Sequence, residues 1–266
     1  MMYYLLVETK STRSLFMWQL YDTLIENIDP SRKVNYACHG GWRALIESEG
    51  NCGIASLLLK EMKPAENSGL LTNYMGKPLR DVAALIKSWD DTESALGMAA
   101  INAYYNDLRA LSANSAQLFE PGMVNGDIFN ILLPEAAGKK VAIIGHFRGV
   151  DELYRDICEL TIFEREPREG DLPDTAEEYL LPDMELVIIT GMSLTNKTLP
   201  RLLQLAQNAK VILTGPSAAL TKLLFGFGVD MVSGIAMPDV AVCRQAIESD
   251  HWQDIYSKGR KVILKK

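Results

Sequence analysis

Three features of the sequence predict an α/β protein whose C-terminal part is built on a parallel sheet. From residue 139 onward there are continuous apolar runs: "KKVAIIGHF", "LTIFERE", "ELVIITGMS", "AKVILTGPS" and "MVSGIAM". Helical patterns intervene, namely "VDELYRDIC", "TLPRLLQLAQNA", "AALTKLLFGFG" and "VAVCRQAIESD". The runs do not alternate apolar with polar, which is how strands buried on both faces read. Strands alternating with helices in this way give a Rossmann-like arrangement, a parallel sheet covered by helices on both sides.

The first half reads as a smaller α+β part. "SLFMWQLYDTLIENI" places Leu15, Trp18, Tyr21, Leu24, Ile25 and Ile28 on one helical face, and Pro30 follows as a stop. "KVNYACHGGWRALIESEGNCGIASLLL" is broken by Gly40-Gly41, Gly50 and Gly53, which fits short strands joined by turns. "GKPLRDVAALIKSW" reads as a helix with Pro78 in its first turn. "KSWDDTESALGMAAINAYYN" reads as a third helix, crowded with small residues. The segment from Ser112 to Lys139 is weakly patterned ("SANS", "EPGMVNGD", "PEAAGKK") and carries the expected domain boundary. This divides the chain into 1–124 and 125–266.

Composition bounds the function. Among 266 residues, 48% are hydrophobic and 23% charged, enough for a core without staples. The net charge is -7, and no basic block beyond Lys265-Lys266 and Lys258 to Lys261 offers a footprint for nucleic acid or an anionic membrane. No apolar run approaches the roughly 20 residues of a membrane span. "MMYYLLVETK" lacks a signal peptide's basic start and reads as a strand. Cys38, Cys52, Cys158 and Cys243 lie far apart without CxxC, as reduced core thiols of a cytoplasmic protein would.

Several stretches resemble the putative heavy-metal chelation family, in that family's order: "LYDTLIENI", "KSWDDTESALGMAAINAYYN", "KKVAIIGHF", "GDLPDTAEEYLLPDMELVIITGMSLTNKTLPRLL", "LTGPSAAL" and "IYSKGRKVILKK". Only about the first dozen residues look like an addition. The resemblance implies an enolase N-terminal-like domain joined to the Rossmann-like one, with a cleft between them. It also implies handling of a metal or a metal complex.

In the third helix, Asp90 and Glu93 have the spacing of a capping box. Asn102 shares a helical stripe with Ala95, Met98, Ala99 and Asn106. An unpartnered buried amide costs about 1–3 kcal/mol, so Asn102 must meet either a loop of its own domain or the cleft. Ligands of open α/β sheets bind beyond the carboxyl ends of the strands. Four loops qualify: Gly145 to Gly149, Glu164-Arg165, Thr190 to Ser193 and Thr214 to Ser217. Together they offer an imidazole, an aromatic ring, hydroxyls and backbone N–H groups suited to an anionic or carboxylate-bearing ligand. The hydroxyls of Ser193, Thr195, Thr198 and Ser217 serve equally well as helix caps.

"GHFRGV" is not GxGxxG, although Glu164 lies 19 residues beyond Gly145, where a ribose-binding acid belongs. His146 and Phe147 stand where a pyrophosphate needs close approach, so NAD is disfavoured. No P-loop occurs. His39, His146 and His251 do not pair at ligand spacing, and Cys38-His39 with Cys52 lacks a fourth ligand. "TGMSL" is not GxSxG. Glu177-Glu178 reads as surface or capping. The expected ligand-binding set is Asn102, His146, Phe147, Thr190, Gly191, Ser193 and Gly215. His146 would be the metal ligand or proton donor for a divalent or heavy metal that arrives already chelated, unless it is a structural histidine. The rival is an enzyme acting on a small organic or nucleotide-bearing substrate in the same cleft. A homo-oligomer is left open.

Overall fold

The computed structural model describes residues 17–58, 69–114, 116–121, 123, 126–251 and 253–266. The strand expected at the N-terminus lies outside these residues. The first helix, residues 17–26, buries Leu20, Tyr21, Leu24 and Ile25. A four-stranded antiparallel sheet follows, formed by β1 (Tyr36–His39), β2 (Arg43–Ser48), β3 (Asn51–Ser56) and β4 (Gly69–Leu70), in the order β3-β2-β1-β4. Glu49 and Gly50, both at positive φ, make the tight turn between β2 and β3. Both faces of this sheet are buried. Ala37, Ala44, Ile46 and Ala55 join the main core, whereas Cys38, Leu45, Cys52 and Ile54 pack toward Cys243 and Ile247.

The segment starting at Pro78 divides into a helix, Leu79–Ala83, and a 3₁₀ turn, Ala84–Lys87. The following helix, Asp91–Tyr105, is buried at every position from Ser94 to Ala103. A helix packed all round shows no apolar stripe, which explains its crowd of small residues. A Cβ on Gly97 would lie 2.0 Å from the Ile86 N, and one on Gly53 would lie 2.0 Å from the Ala103 N. The helix therefore touches backbone on both sides. Half of the expected capping box forms: Asp90 accepts from the Glu93 N–H at 2.9 Å, while Glu93 turns to the Ser88 hydroxyl.

The second sheet has eight strands: β5 (Gln117–Leu118), β6 (Lys140–Ile144), β7 (Glu159–Glu164), β8 (Leu172–Pro173), β9 (Leu186–Thr190), β10 (Lys210–Thr214), β11 (Met231–Ala236) and β12 (Arg260–Lys265). Their order is β5-β12-β11-β10-β9-β6-β7-β8. The sheet is largely parallel; near one edge β12 runs antiparallel to both its neighbours, β11 and β5. Each central strand is apolar on both faces. Val141, Ile143, Leu186 and Ile188 face one core, and Ala142, Ile144, Val187 and Ile189 face the other. That is the physical origin of the unbroken apolar runs. "AALTKLLFGFG" departs from the expected helix and forms 3₁₀ turns over Lys222–Phe227. Only six residues separate the Thr221 cap from Gly228 at φ 101°, a length at which the tighter i→i+3 bonds suffice.

The strand order reverses at β6, which has β7 on one side and β9 on the other. An open parallel sheet leaves a crevice beyond the strand ends at such a point. One apolar core joins the two sheets, and several hydrogen bonds cross between the halves of the chain. The Tyr21 hydroxyl donates to the Leu194 carbonyl at 3.0 Å. Ser94 donates to the Thr195 carbonyl at 2.7 Å. Asn106 donates to the Ala218 carbonyl and accepts from the Leu220 N–H.

Candidate functional site

The four strand-end loops line one cavity of about 820 Å³. Its other walls come from Arg43, Ser56 and Leu57 at the end of the small sheet, Trp89 and Asp91 at the start of the long helix, and Tyr256. Six of the seven expected residues line it: His146, Phe147, Thr190, Gly191, Ser193 and Gly215. Asn102, fully buried, reaches it only through Pro216. Its Nδ2 donates to the Ile54 carbonyl at 2.8 Å and to the Pro216 carbonyl at 3.5 Å, while its Oδ1 is buried without a partner. The amide thus joins the end of β3 to the loop after β10.

The rim is shaped by backbone as much as by side chains. Gly145 and Gly215 take φ of 94° and 113°, which favours glycine, and let the chain turn sharply at the ends of β6 and β10. A Cβ on Gly191 would lie 2.5 Å from the Ala218 N and 2.8 Å from the Ser217 carbonyl carbon, so two loops are in backbone contact. The Ser193 hydroxyl is spent on the Thr190 carbonyl at 2.7 Å, and the Met192 N–H donates to the Thr190 hydroxyl at 3.4 Å. Phe147 packs against Phe129, with ring centroids 4.8 Å apart, and stays half-buried at the cleft.

His146 is held from two directions. Its backbone N–H donates to Glu164 at 2.8 Å. Its Nδ1 faces the Asp171 carboxylate at 2.9 and 3.0 Å. Asp171 is itself fixed by the Arg168 N–H at 3.0 Å. A carboxylate at Nδ1 selects the tautomer with its proton there and leaves the Nε2 lone pair for a ligand or a proton. Nε2 has no hydrogen-bond partner among the described residues. The second Glu164 oxygen accepts from the Arg165 N–H at 2.7 Å, so this acid braces the loops around it.

Four further groups at or beside the cleft were not singled out by sequence reasoning. Burial pushes the Glu177 carboxyl up to about 7, with Asp174 adding to the rise and Arg165 opposing it. Lys197 takes a positive φ of 67°, rare for a residue with a side chain. Its Nζ donates to the Ser94 hydroxyl and the Thr195 carbonyl, and lies 5.3 Å from the Trp89 ring. Burial lowers its pKa, and Asp91 opposes that. Arg43 lies at the small-sheet wall, and Asp171 stands behind His146. Lys197 and Asp171 fall inside the long stretch that carries the family resemblance, which was the only signal for them. Arg43 had none.

A protein-held metal needs several donors. Among the described residues, no three His, Cys, Asp or Glu side chains converge to hold an ion. One imidazole does not fit a resident metal. It does fit a metal that arrives with its own chelator and has a coordination position to spare. Cys38, Cys52 and Cys243 are buried free thiols, and burial pushes Cys38 up to about 12, away from the thiolate a soft metal requires. No helix among the described residues is long and apolar enough to cross a membrane.

Comparison with known proteins agrees with the architecture. Two family models, both described as "putative heavy-metal chelation", match residues 21–105 and 127–265. An uncharacterized protein of Methanocaldococcus jannaschii is 35% identical over 208 residues, 74% of each chain. A crystal structure of a protein with unknown function from Desulfitobacterium hafniense superimposes with a TM-score of 0.85 at 35% identity, covering 94% of this chain and 99% of that one. One from Pyrococcus horikoshii superimposes with a TM-score of 0.74 at 22% identity, covering 94% and 100%, which is a likeness of fold. On these matches the chain belongs to the family described as putative heavy-metal chelation.

Proposed function

We propose that the cleft binds a metal ion carried by a small chelating molecule, and that the protein handles this complex as cargo. The supporting observation is the clamped imidazole: Asp171 orients His146 so that Nε2 is left for the incoming metal or for a proton of its chelator. Phe147 covers the ligand. Thr190, Gly191, Ser193 and Gly215 form its floor, and Asn102 positions the Pro216 loop from behind. In this reading the cleft is the seam between two domains, 1–124 and 125–266, of a cytoplasmic protein. The test is titration of the purified protein with zinc and nickel, each alone and as its citrate complex, beside His146→Ala. Binding of the complexes should weaken at least about tenfold in the variant. Identical binding by both proteins would remove the histidine from the site.

A second reading rests on Glu177 and Lys197. A carboxyl pushed to about 7 is suited to proton transfer near neutrality, and Lys197, whose pKa burial lowers, lines the same cleft. They support an enzyme acting on a small organic substrate in the same cleft. Mass spectrometry of a gently released ligand separates the readings, since a substrate would be free of metal.

A further inference from the structure

Arg43, on β2, and Arg244, on the helix Val240–Glu248, each lie against a tyrosine ring, yet their charges are met differently. Arg244 stacks 3.9 Å from the Tyr36 ring centroid and grips Glu47 with two hydrogen bonds of 2.6 and 2.8 Å. Arg43 has no carboxylate partner among the described residues. It is 9% exposed, and among the described residues its guanidinium donates only to the Ser56 hydroxyl at 3.0 Å and the Tyr256 hydroxyl at 3.3 Å. Glu47, an acid on the same strand, is already committed to Arg244. A guanidinium carries five N–H donors, so three go unmet among the described residues, and Nε is buried outright with no partner among them. A buried cation without a counter-charge is destabilising, and this one lies on a cleft wall.

The neighbouring hydroxyls fit the same pattern. Ser56 accepts from Arg43, and Ser217, 1% exposed, accepts from the Ser56 N–H at 2.9 Å. Neither hydroxyl donates to anything among the described residues, and both line the cleft. One unmatched positive charge and two unspent O–H donors therefore converge where the small sheet meets the loop after β10. We infer that Arg43, Ser56 and Ser217 form a binding site for an oxyanion, and that the molecule occupying the cleft carries a carboxylate or phosphate group docked on Arg43. This rests on the reading of the cleft as a ligand site and specifies the chemistry of that ligand. Arginine suits the role because its planar fork matches both groups with two parallel hydrogen bonds.

The test is run in metal-free buffer, so that it stands apart from the zinc and nickel titrations. Thermal unfolding and calorimetry are followed against succinate and against inorganic phosphate, with sodium chloride matched for ionic strength. The wild-type Tm should rise saturably with one of them and not with chloride; which one does so distinguishes a carboxylate from a phosphate ligand. Arg43→Met should lose that response, with at least about tenfold weaker binding, while its Tm without anion is equal or higher because an unpaired buried charge is gone. Should Arg43→Met not fold, Arg43→Lys decides: the charge stays, the fork goes, and the anion response must fall. A wild-type protein indifferent to both anions, or a folded variant that responds as wild type does, overturns the proposal. A wild-type protein that binds zinc-citrate yet shows no anion response would sink this site alone, and one that responds to the anion yet does not bind zinc-citrate would sink only the metal reading.

Discussion

The two sides of the cleft handle their charges in opposite ways. On the rim of the parallel sheet, three acids are used internally. Glu164 accepts backbone N–H groups on both oxygens, Asp171 holds His146 and the Arg168 N–H, and Arg165 pairs with Asp174 at 3.3 Å. On the small-sheet side, Arg43 is braced by hydroxyls and has no opposing charge among the described residues. Fully paired groups shape a loop before any ligand arrives. An unpaired buried charge is a standing cost that only a ligand removes. On the proposed reading of the site, the rim supplies geometry and Arg43 supplies the attraction.

The largest perturbations should come from the glycines beneath each side. A Cβ on Gly53 would lie 2.0–2.4 Å from three backbone atoms of the Asp91–Tyr105 helix, which is buried and cannot retreat. Gly53→Ala should cost about 3 kcal/mol or more in denaturant unfolding. Gly191→Ala meets loop backbone at 2.5 Å and should cost less, about 1–3 kcal/mol. If the order were reversed, the rim would be the stiffer side. Next in size is Asn102→Ala, which leaves the Ile54 carbonyl without its side-chain donor. It should cost about 1–3 kcal/mol, toward the lower end because the orphaned Oδ1 leaves with it. A stabilised variant would show that the amide is not a brace between the two sides.

How far this contrast was legible in the sequence follows from where its parts sit along the chain. The rim was readable because each of its loops follows an apolar strand and three of the four are marked locally by Gly or hydroxyl residues, as at Gly145, Thr190-Gly191 and Gly215. The parallel sheet was readable for a related reason, since burial on both faces erases alternation within each strand. Arg43 and Asp171 could not be found that way. One lies inside a short strand and the other in a turn, and each acquires meaning only from a partner folded beside it. Glu177 read as surface because the sequence shows a pair of acids and not how far the folded chain buries one of them. Asn102 posed the right question, but both partners of its amide, Ile54 and Pro216, lie far along the chain on either side of it.

Glu177 tests the acidic side by pH. Its carboxyl is raised from the ordinary 4.5 to about 7, chiefly by burial. Between those values the folded state holds a proton that the unfolded state has released. The stability this lends is present at low pH and lost as pH rises through about 7. Glu177→Gln should flatten that decline and be more stable than wild type at pH 8, by about 1–2 kcal/mol once solvent screening of this partly exposed group is allowed for. Parallel stability curves for the two proteins across pH 4.5–8 would show that the carboxyl is not held protonated.

The smallest expected energetic effect belongs to the most informative residue. Asp171→Asn keeps the size of the side chain and an oxygen for the Arg168 N–H, so stability should change by no more than about 1 kcal/mol. The change should appear instead in the imidazole. With the carboxylate, Nδ1–H is the favoured tautomer and Nε2 presents a lone pair; an amide can donate as well as accept, so the preference weakens. Nitrogen-15 shifts of His146 should therefore show one dominant neutral tautomer in the wild type and a mixture in the variant. Zinc-citrate affinity should fall in parallel, because only the Nε2 lone pair can reach the metal. If the wild-type ring instead carries its proton on Nε2, that nitrogen is a donor. The rim would then recognise its ligand by hydrogen bonding rather than by coordination.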